Sequence, residues 1–284
     1  MGAKTETYLT PAEPGLALGS AAWSAPQSPE FSAAPVTRAR LSVPPSSVAP
    51  SAPSIQVVLF DVDDVLYDAS SWERWLAQMF ARLSPRSEAD FAEAWQDVFL
   101  PTVHRGEQDF HAALAGCLKA IGLAARHIDE IVAASRGQRR KAQTNVRPFP
   151  AVRTTLTRLQ SAGIGRAVLA NTDRSAQTLR MQLDRLRLTG LFDQVLTSTE
   201  LSASLTDVAA FSQALQVVNC AAEEAIFVTH HVRALSAAQS AGLRTAGFNV
   251  RQGACGAKCI DRFEELLFIV LAQVESTEEK RCAG

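Results

Sequence analysis

Three features are scarce or missing in this sequence: net charge, regularly spaced cysteine and any long apolar run. Its 284 residues carry 28 basic and 29 acidic side chains, a formal charge of −1, so general attraction to nucleic acid or an anionic membrane is not expected. No run approaches the roughly 20 apolar residues that cross a bilayer. The start lacks a basic stretch followed by an apolar core, so we expect a cytoplasmic protein without export or membrane insertion.

Cysteine usage also argues against a disulfide framework. The five cysteines are odd in number and irregularly spaced, which fits a reducing compartment. Cys255 and Cys259 have no second Cys or His pair close in sequence, so we interpret them as loop thiols rather than zinc ligands. The other three are Cys117, Cys220 and Cys282.

Composition divides the chain into tails and an ordered part. Residues 1–54 hold nine of the thirteen prolines and show no helical or strand period, which predicts a disordered tail. A second tail is predicted at 276–284. Between them we predict an α/β core at 55–68 and 148–275, interrupted by a helical insertion at 69–147.

Strand and helix patterns alternate along the predicted core. Apolar runs predict strands at 55–60, 166–170, 194–197, 225–228 and 243–248. Amphipathic stretches predict helices at 150–162, 176–188, 207–218, 232–241 and 260–274. This alternation predicts an α/β fold with a doubly wound parallel sheet, whose ligands bind at the carboxyl ends of the strands.

Three carboxylates follow the first predicted strand directly: Asp61, Asp63 and Asp64. Like charges so close need a cation, a proton or hydrogen-bond donors nearby. Chemically, one carboxylate can attack a substrate while another, two residues on, transfers protons. The alternative is a plain acidic turn.

The segment from Val57 to Leu66 resembles motif I of the haloacid dehalogenase superfamily, an apolar strand followed by Asp-x-Asp-Gly-x-Leu. Further similar stretches occur in the family's order at 147–153, 170–173 and 238–245. The resemblance covers roughly residues 55–275. It implies that the helical insertion is the family's substrate-selecting cap.

The resemblance also implies roles for individual residues. Asp61 matches the nucleophile that becomes an aspartyl-phosphate, and Asp63 matches the general acid and base. Both would be ligands of Mg²⁺, the family's metal. Asn171 and Thr172 match the substrate-binding position at the end of the second strand, where Thr172 is the candidate replacement for a hydroxyl lost at Ala170.

Several family positions are changed. Asp64 and Val65 replace the usual Gly and Thr of motif I, and no lysine occurs between residues 142 and 257. The fourth motif's metal-binding acids are absent, because residues 225–260 contain no Asp or Glu. His230 and His231 stand there instead, and with Asp61 they could hold a borderline metal such as zinc or manganese. The alternatives are that they are polar fillers of the loop or neutral hydrogen-bond partners of Asp61 or Asp63.

Phosphoryl transfer needs positive groups, and the candidate replacements for the lost cations are Arg166, Arg174 and Arg233. Three functions therefore remain open. The first is a phosphatase acting on a small phosphorylated metabolite, with weak or lost activity. The second is a catalytically silent module that binds a protein partner through the cap or the N-terminal tail. The third is a metal-free 2-haloacid dehalogenase-like hydrolase, although such relatives generally keep a Lys and lack the second Asp.

Overall fold

The computed structural model describes residues 54–83, 88–188, 190–250 and 256–271. The tails predicted at 1–54 and 276–284 therefore lie outside the described residues, except for Ser54. No helix in these four ranges is long and apolar enough to cross a membrane.

Six parallel strands form one sheet in the order β3-β2-β1-β4-β5-β6. The strands are β1 (Val57–Phe60), β2 (Gly165–Ala170), β3 (Gln194–Thr197), β4 (Ala225–Thr229), β5 (Arg244–Phe248) and β6 (Lys258–Ile260). The predicted doubly wound α/β sheet is thus confirmed. The chain runs outward from β1 to β3 and then returns to β4 beside β1, so the strand order reverses between β1 and β4, where such sheets bind ligands.

Both faces of the sheet are covered, which explains its continuous apolar strands. Val58 and Phe60 point into one hydrophobic cluster, which includes Phe263. Leu59 points into the other with Phe227. The covering helices are α6 (Val152–Ser161), α7 (Ala176–Arg185), α8 (Ser198–Leu201), α9 (Val208–Val218), α10 (Val232–Ser240) and α11, which begins at 265 and reaches the last described residue, 271.

A helical block lies between β1 and α6. It contains α1 (Ser70–Leu83), α2 (Glu88–Ala94), a π-helical turn (Trp95–Phe99), α3 (Leu100–His104), α4 (Phe110–Ala120) and α5 (Ala125–Thr144). Its own apolar cluster includes Phe80, Phe91, Trp95 and Phe110. The side chain of Asp109 caps α4 by accepting hydrogen bonds from the amides of the first turn.

The C-terminal elements differ from the sequence prediction. A helix was predicted from 260, but β6 occupies 258–260 and α11 begins at 265. Ile260 pairs with Phe248 of β5 and is buried in the sheet's core. Three residues are too short to show a strand period in sequence. Cys259, predicted to lie in a loop, lies in β6, and Cys255 is outside the described residues.

Candidate active site

Asp61 is the first residue after β1 and is buried, with 4% of its surface exposed. Its Oδ1 accepts a hydrogen bond from the Val62 amide (2.8 Å), and its Oδ2 accepts one from Thr229 Oγ1 (2.7 Å). Burial raises the pKa of Asp61 above its ordinary value, although His231 and these two donors act in the opposite direction. The side chain is therefore fixed at the point where β1 and β4 end side by side.

Asp63 is held by two partners. The Tyr67 hydroxyl donates a hydrogen bond to its Oδ1, and Arg174 Nη2 lies 3.4 Å from both of its carboxylate oxygens. Burial lowers the pKa of Arg174, but the charge of Asp63 and its contact with Tyr67 outweigh this and raise it. Arg174 thus provides a permanent positive charge beside one of the two motif I carboxylates.

Asp64 adopts a left-handed backbone conformation, with φ 56°. Its Oδ1 accepts a hydrogen bond from the Ala69 amide (2.8 Å), which closes the turn after β1. Aspartate tolerates this conformation better than most residues, although glycine adopts it more easily. This explains why an Asp can occupy the position where the family usually has Gly.

The loop after β2 (residues 171–174, hereafter the β2 loop) forms a connected network. Asn171 Oδ1 accepts from the Leu205 amide (3.2 Å), and Thr172 Oγ1 accepts from Arg174 Nε (3.0 Å). Asp173 forms a two-fold ion pair with Arg139 of α5, at 3.0 and 2.9 Å. Asn171 and Thr172, predicted from the sequence to bind substrate, thus each accept a hydrogen bond from another residue that lines the cavity.

The segment formed by the last residue of β4 and the two residues after it (229–231, hereafter the β4 loop) is less completely bonded. Thr229 Oγ1 donates a hydrogen bond to Asp61 and accepts one from the His231 amide (3.2 Å). His230 Nδ1 is buried and has no hydrogen-bond partner among the described residues. Burial, together with His231, lowers the pKa of His230 to about 3, so this imidazole is neutral at physiological pH.

A cavity of about 630 Å³ opens above these loops. Asp61, Asp63, Arg174 and both histidines line its polar end. The helical block contributes apolar wall residues: Trp72, Leu76, Phe91, Trp95 and Phe110. No lysine lines the cavity in the part of the chain that is described. The arrangement suits a ligand with an anionic end and an apolar body.

The three candidate arginines lie in different environments. Arg174 contacts Asp63, as described. Arg166 is buried in β2, where it binds Asp193 and the carbonyl oxygen of Leu191 and so has a structural role. Arg233 is exposed on α10 and pairs with Asp97 of the helical block.

Four residues of the site escaped the sequence analysis as functional candidates. Tyr67 donates a hydrogen bond to Asp63, and Thr229 donates one to Asp61. Arg139 links the helical block to the β2 loop. His104 lines the cavity, and burial lowers its pKa to about 4. Only Thr229 had a usable signal in the sequence, because it directly follows the strand predicted at 225–228, at the sheet edge where Asp61 lies.

Comparison with known proteins identifies the class. The model of the haloacid dehalogenase-like hydrolases matches residues 55–242, and the chain belongs to this family. No curated protein matches the chain.

Solved structures share the fold at low sequence identity. A 2-haloacid dehalogenase from Pseudomonas syringae pv. Tomato DC3000 is 24% identical, with a TM-score of 0.51 over 77% of this chain and 99% of its own. A predicted phosphoglycolate phosphatase from Haemophilus somnus 129pt is 19% identical, with a TM-score of 0.57 over 76% and 97%. An L-2-haloacid dehalogenase from Xanthobacter autotrophicus is 18% identical, with a TM-score of 0.53 over 77% and 99%.

Hydrolases of this family generally use Mg²⁺, so the donor set can be tested against that ion. Mg²⁺ prefers an octahedron of oxygen ligands. Here the Arg174 guanidinium lies against Asp63, and the β4 loop offers two imidazoles and no carboxylate. The residues present therefore do not fit Mg²⁺.

Proposed function

We propose that this chain is a haloacid dehalogenase-like hydrolase with the ancestry of a small-molecule phosphatase, whose phosphate-ester turnover is weak or absent. The observation that carries the proposal is the contrast between a well-placed Asp61 and a described cavity lining that has no lysine and no carboxylate from the β4 loop. In the family's reaction the carboxylate attacks phosphorus, the bond from phosphorus to the leaving oxygen breaks, and that oxygen takes a proton.

Asp61 retains the features that a nucleophile needs. It is buried, its orientation is fixed by Val62 and Thr229, and it faces the cavity. Two unit charges about 4 Å apart repel by roughly 4 kcal/mol at an effective dielectric near 20, which corresponds to about three decades in rate. No lysine lines the cavity among the described residues, and Arg174, which contacts Asp63, offsets part of this repulsion.

Asp63 is the proposed acid and base, and its surroundings limit that role. Both of its oxygens face Arg174, and one also accepts the Tyr67 hydroxyl hydrogen bond. A carboxylate with both oxygens in contact with donors must lose one of these contacts before it can transfer a proton to or from a substrate. This supports slow turnover of a small phosphorylated metabolite held beneath the helical block, which we propose acts as the cap.

The decisive experiment measures hydrolysis of p-nitrophenyl phosphate and a panel of sugar phosphates with Mg²⁺, Mn²⁺ or Zn²⁺. We expect kcat/KM at least a hundredfold below about 10⁴ M⁻¹s⁻¹, the lower end for typical enzymes, and complete loss in Asp61→Asn. Asp68→Asn is the matched control, because Asp68 is exposed and outside the cavity lining. Efficient Mg²⁺-dependent turnover would contradict the proposal, and turnover that survives Asp61→Asn would exclude Asp61 as nucleophile.

A second candidate is a dehalogenase-like hydrolase that needs no metal. The β4 loop without carboxylates favours it, because displacement of halide from carbon by Asp61 requires no metal-bound phosphate. Release of halide from 2-haloacids, abolished by Asp61→Asn, would support this candidate. A panel that yields neither phosphate nor halide would favour a binding module that uses the same cavity.

A further inference from the structure

The β4 loop places two imidazoles beside Asp61, the first carboxylate of the predicted motif I. One ligand atom each from Asp61, His230 and His231 lies within 4.8 Å of the other two. In tetrahedral Zn²⁺ sites, bonds of about 2.0–2.2 Å separate ligand atoms by roughly 3.4 Å. Small side-chain rotations are therefore enough to bring the three atoms onto one ion.

The unpartnered nitrogen of His230 is the second observation that points to a ligand. Buried polar atoms in native structures are nearly always hydrogen-bonded, and leaving one unpaired costs about 1–3 kcal/mol. His230 Nδ1 has no such bond within the described ranges. The two imidazole rings also lie close together, with centroids 3.7 Å apart.

Surrounding contacts hold the carboxylate and the loop in place for an ion. Thr229 Oγ1 donates to Asp61 Oδ2 and accepts from the His231 amide, so one hydroxyl links the carboxylate to the histidine backbone. Each Asp61 oxygen accepts one hydrogen bond and retains a second lone pair. Such supporting bonds orient metal ligands in known sites.

We propose that Asp61, His230 and His231 form a binding site for a divalent transition metal ion of the Zn²⁺ and Co²⁺ class. Two nitrogens and one carboxylate oxygen match the donor preferences of these ions and not those of Mg²⁺. Three protein ligands leave a fourth position for water or a substrate atom on the cavity side. Arg174 remains compatible with the ion because it contacts Asp63, which is outside this ligand set.

The test uses the full chain after treatment with EDTA and removal of the chelator. We expect Zn²⁺ to bind by calorimetry with a Kd below about 10 µM, and Mg²⁺ to bind at least a hundredfold more weakly. Co²⁺ is expected to give the intense visible bands of a tetrahedral site without thiolate charge-transfer absorption. His230→Asn and His231→Asn are each expected to weaken Zn²⁺ at least tenfold.

His127→Asn is the matched control, because it removes an imidazole from α5 that does not line the cavity. Circular dichroism and thermal melting of the metal-free variants show whether each has folded. Unchanged Co²⁺ spectra in the double histidine variant, thiolate bands, or equal affinity for Mg²⁺ would each overturn the inference. These binding readouts do not require turnover, so the proposed hydrolase activity and the metal site can fail separately.

Discussion

The β2 loop and the β4 loop end two strands of the same sheet on either side of β1, yet they are bonded very differently. In the β2 loop each of the four side chains contacts a partner: Asn171 contacts Leu205, Thr172 contacts Arg174, and Asp173 and Arg174 form ion pairs. In the β4 loop one buried imidazole nitrogen has no partner among the described residues.

This difference separates two kinds of polar group in one site. A network in which every polar group is hydrogen-bonded fixes the positions of its side chains. Removing one member leaves its partners buried without a hydrogen bond, which lowers the free energy of unfolding. An unsatisfied buried group costs stability in the free protein unless a ligand completes it. Substitutions in the β2 loop should therefore lower stability, whereas substitutions in the β4 loop should affect binding.

Replacement of Arg174 is expected to have the largest effect. Its side chain is 10% exposed and contacts Asp63, Thr172 and Gln182. Arg174→Met leaves these polar groups without their donor, so we expect the free energy of unfolding to fall by about 3 kcal/mol. Urea denaturation followed by circular dichroism measures this loss.

Arg174→Lys is the matched variant, because it keeps the charge and loses the planar donor fork. An intermediate loss of stability is expected, since a single ammonium nitrogen cannot occupy the three positions from which Nε, Nη1 and Nη2 of Arg174 contact their separate partners. If Arg174→Met is as stable as the parent protein, the β2 loop network does not hold the site.

Protonation of His104 is expected to have the next largest effect. His104 lies on α3, and its pKa, lowered by burial to about 4, is also affected by Asp173 of the β2 loop and His231 of the β4 loop. The unfolded chain takes up this proton near pH 6.5 and the folded chain only near pH 4, so stability falls as the pH drops through this window. Between pH 7 and pH 5 the expected contribution is about 2 kcal/mol.

His104→Gln should remove this part of the acid sensitivity, as measured by denaturation at pH 7, 6 and 5. His127→Gln is the control, because it removes an imidazole from a helix outside the cavity lining. Identical pH dependence in the parent and His104→Gln would show that His104 titrates normally in the folded protein.

Two ion pairs among the described residues join the helical block to the α/β core, and they differ in burial. Arg139 pairs with Asp173 at a partly buried position and lies 3.5 Å from the centre of the Phe110 ring. Arg233 and Asp97 form the exposed pair. We expect Arg139→Ala to lower the free energy of unfolding by about 2 kcal/mol and Arg233→Ala to leave the melting temperature unchanged. Equal effects in differential scanning calorimetry would contradict the distinction.

Much of the fold could be predicted from the sequence because the sheet is buried on both faces. The runs that became β1 and β4 are continuously apolar, and this pattern is typical of central parallel strands. The strand β6 could not be predicted, since its three residues pair with β5 at the edge and carry no readable period. The helical block was predicted because apolar side chains recur at the spacing of one helix face, for example Trp72, Trp75 and Leu76.

The site was predictable only in part. Asp61 and Asp63 could be identified as candidates because they directly follow a buried strand. The position of Arg174 depends on contacts with Asp63, 111 residues earlier, and no local pattern indicates that pairing. The role of Arg139 could not be predicted from the sequence either, because its helix brings the side chain to Asp173 only when the helical block packs on the core.

The smallest expected effect tests the comparison of the two loops most directly, because it makes similar polar-to-apolar changes in both. Thr172→Val removes the acceptor for Arg174 Nε, so we expect a loss of about 1 kcal/mol of stability. His230→Leu removes a buried nitrogen that has no partner within the described ranges, so the metal-free protein should be equally stable or up to about 1 kcal/mol more stable.

Both variants are measured by urea denaturation in EDTA and again with Zn²⁺. If the β4 loop is kept for a ligand, added Zn²⁺ should stabilise the parent protein and Thr172→Val but not His230→Leu, because only a ligand that binds the native state shifts unfolding. A loss of stability in metal-free His230→Leu at least equal to that in Thr172→Val would mean that His230 contributes to packing. Both loops would then stabilise the fold, and the proposed difference between them would be wrong.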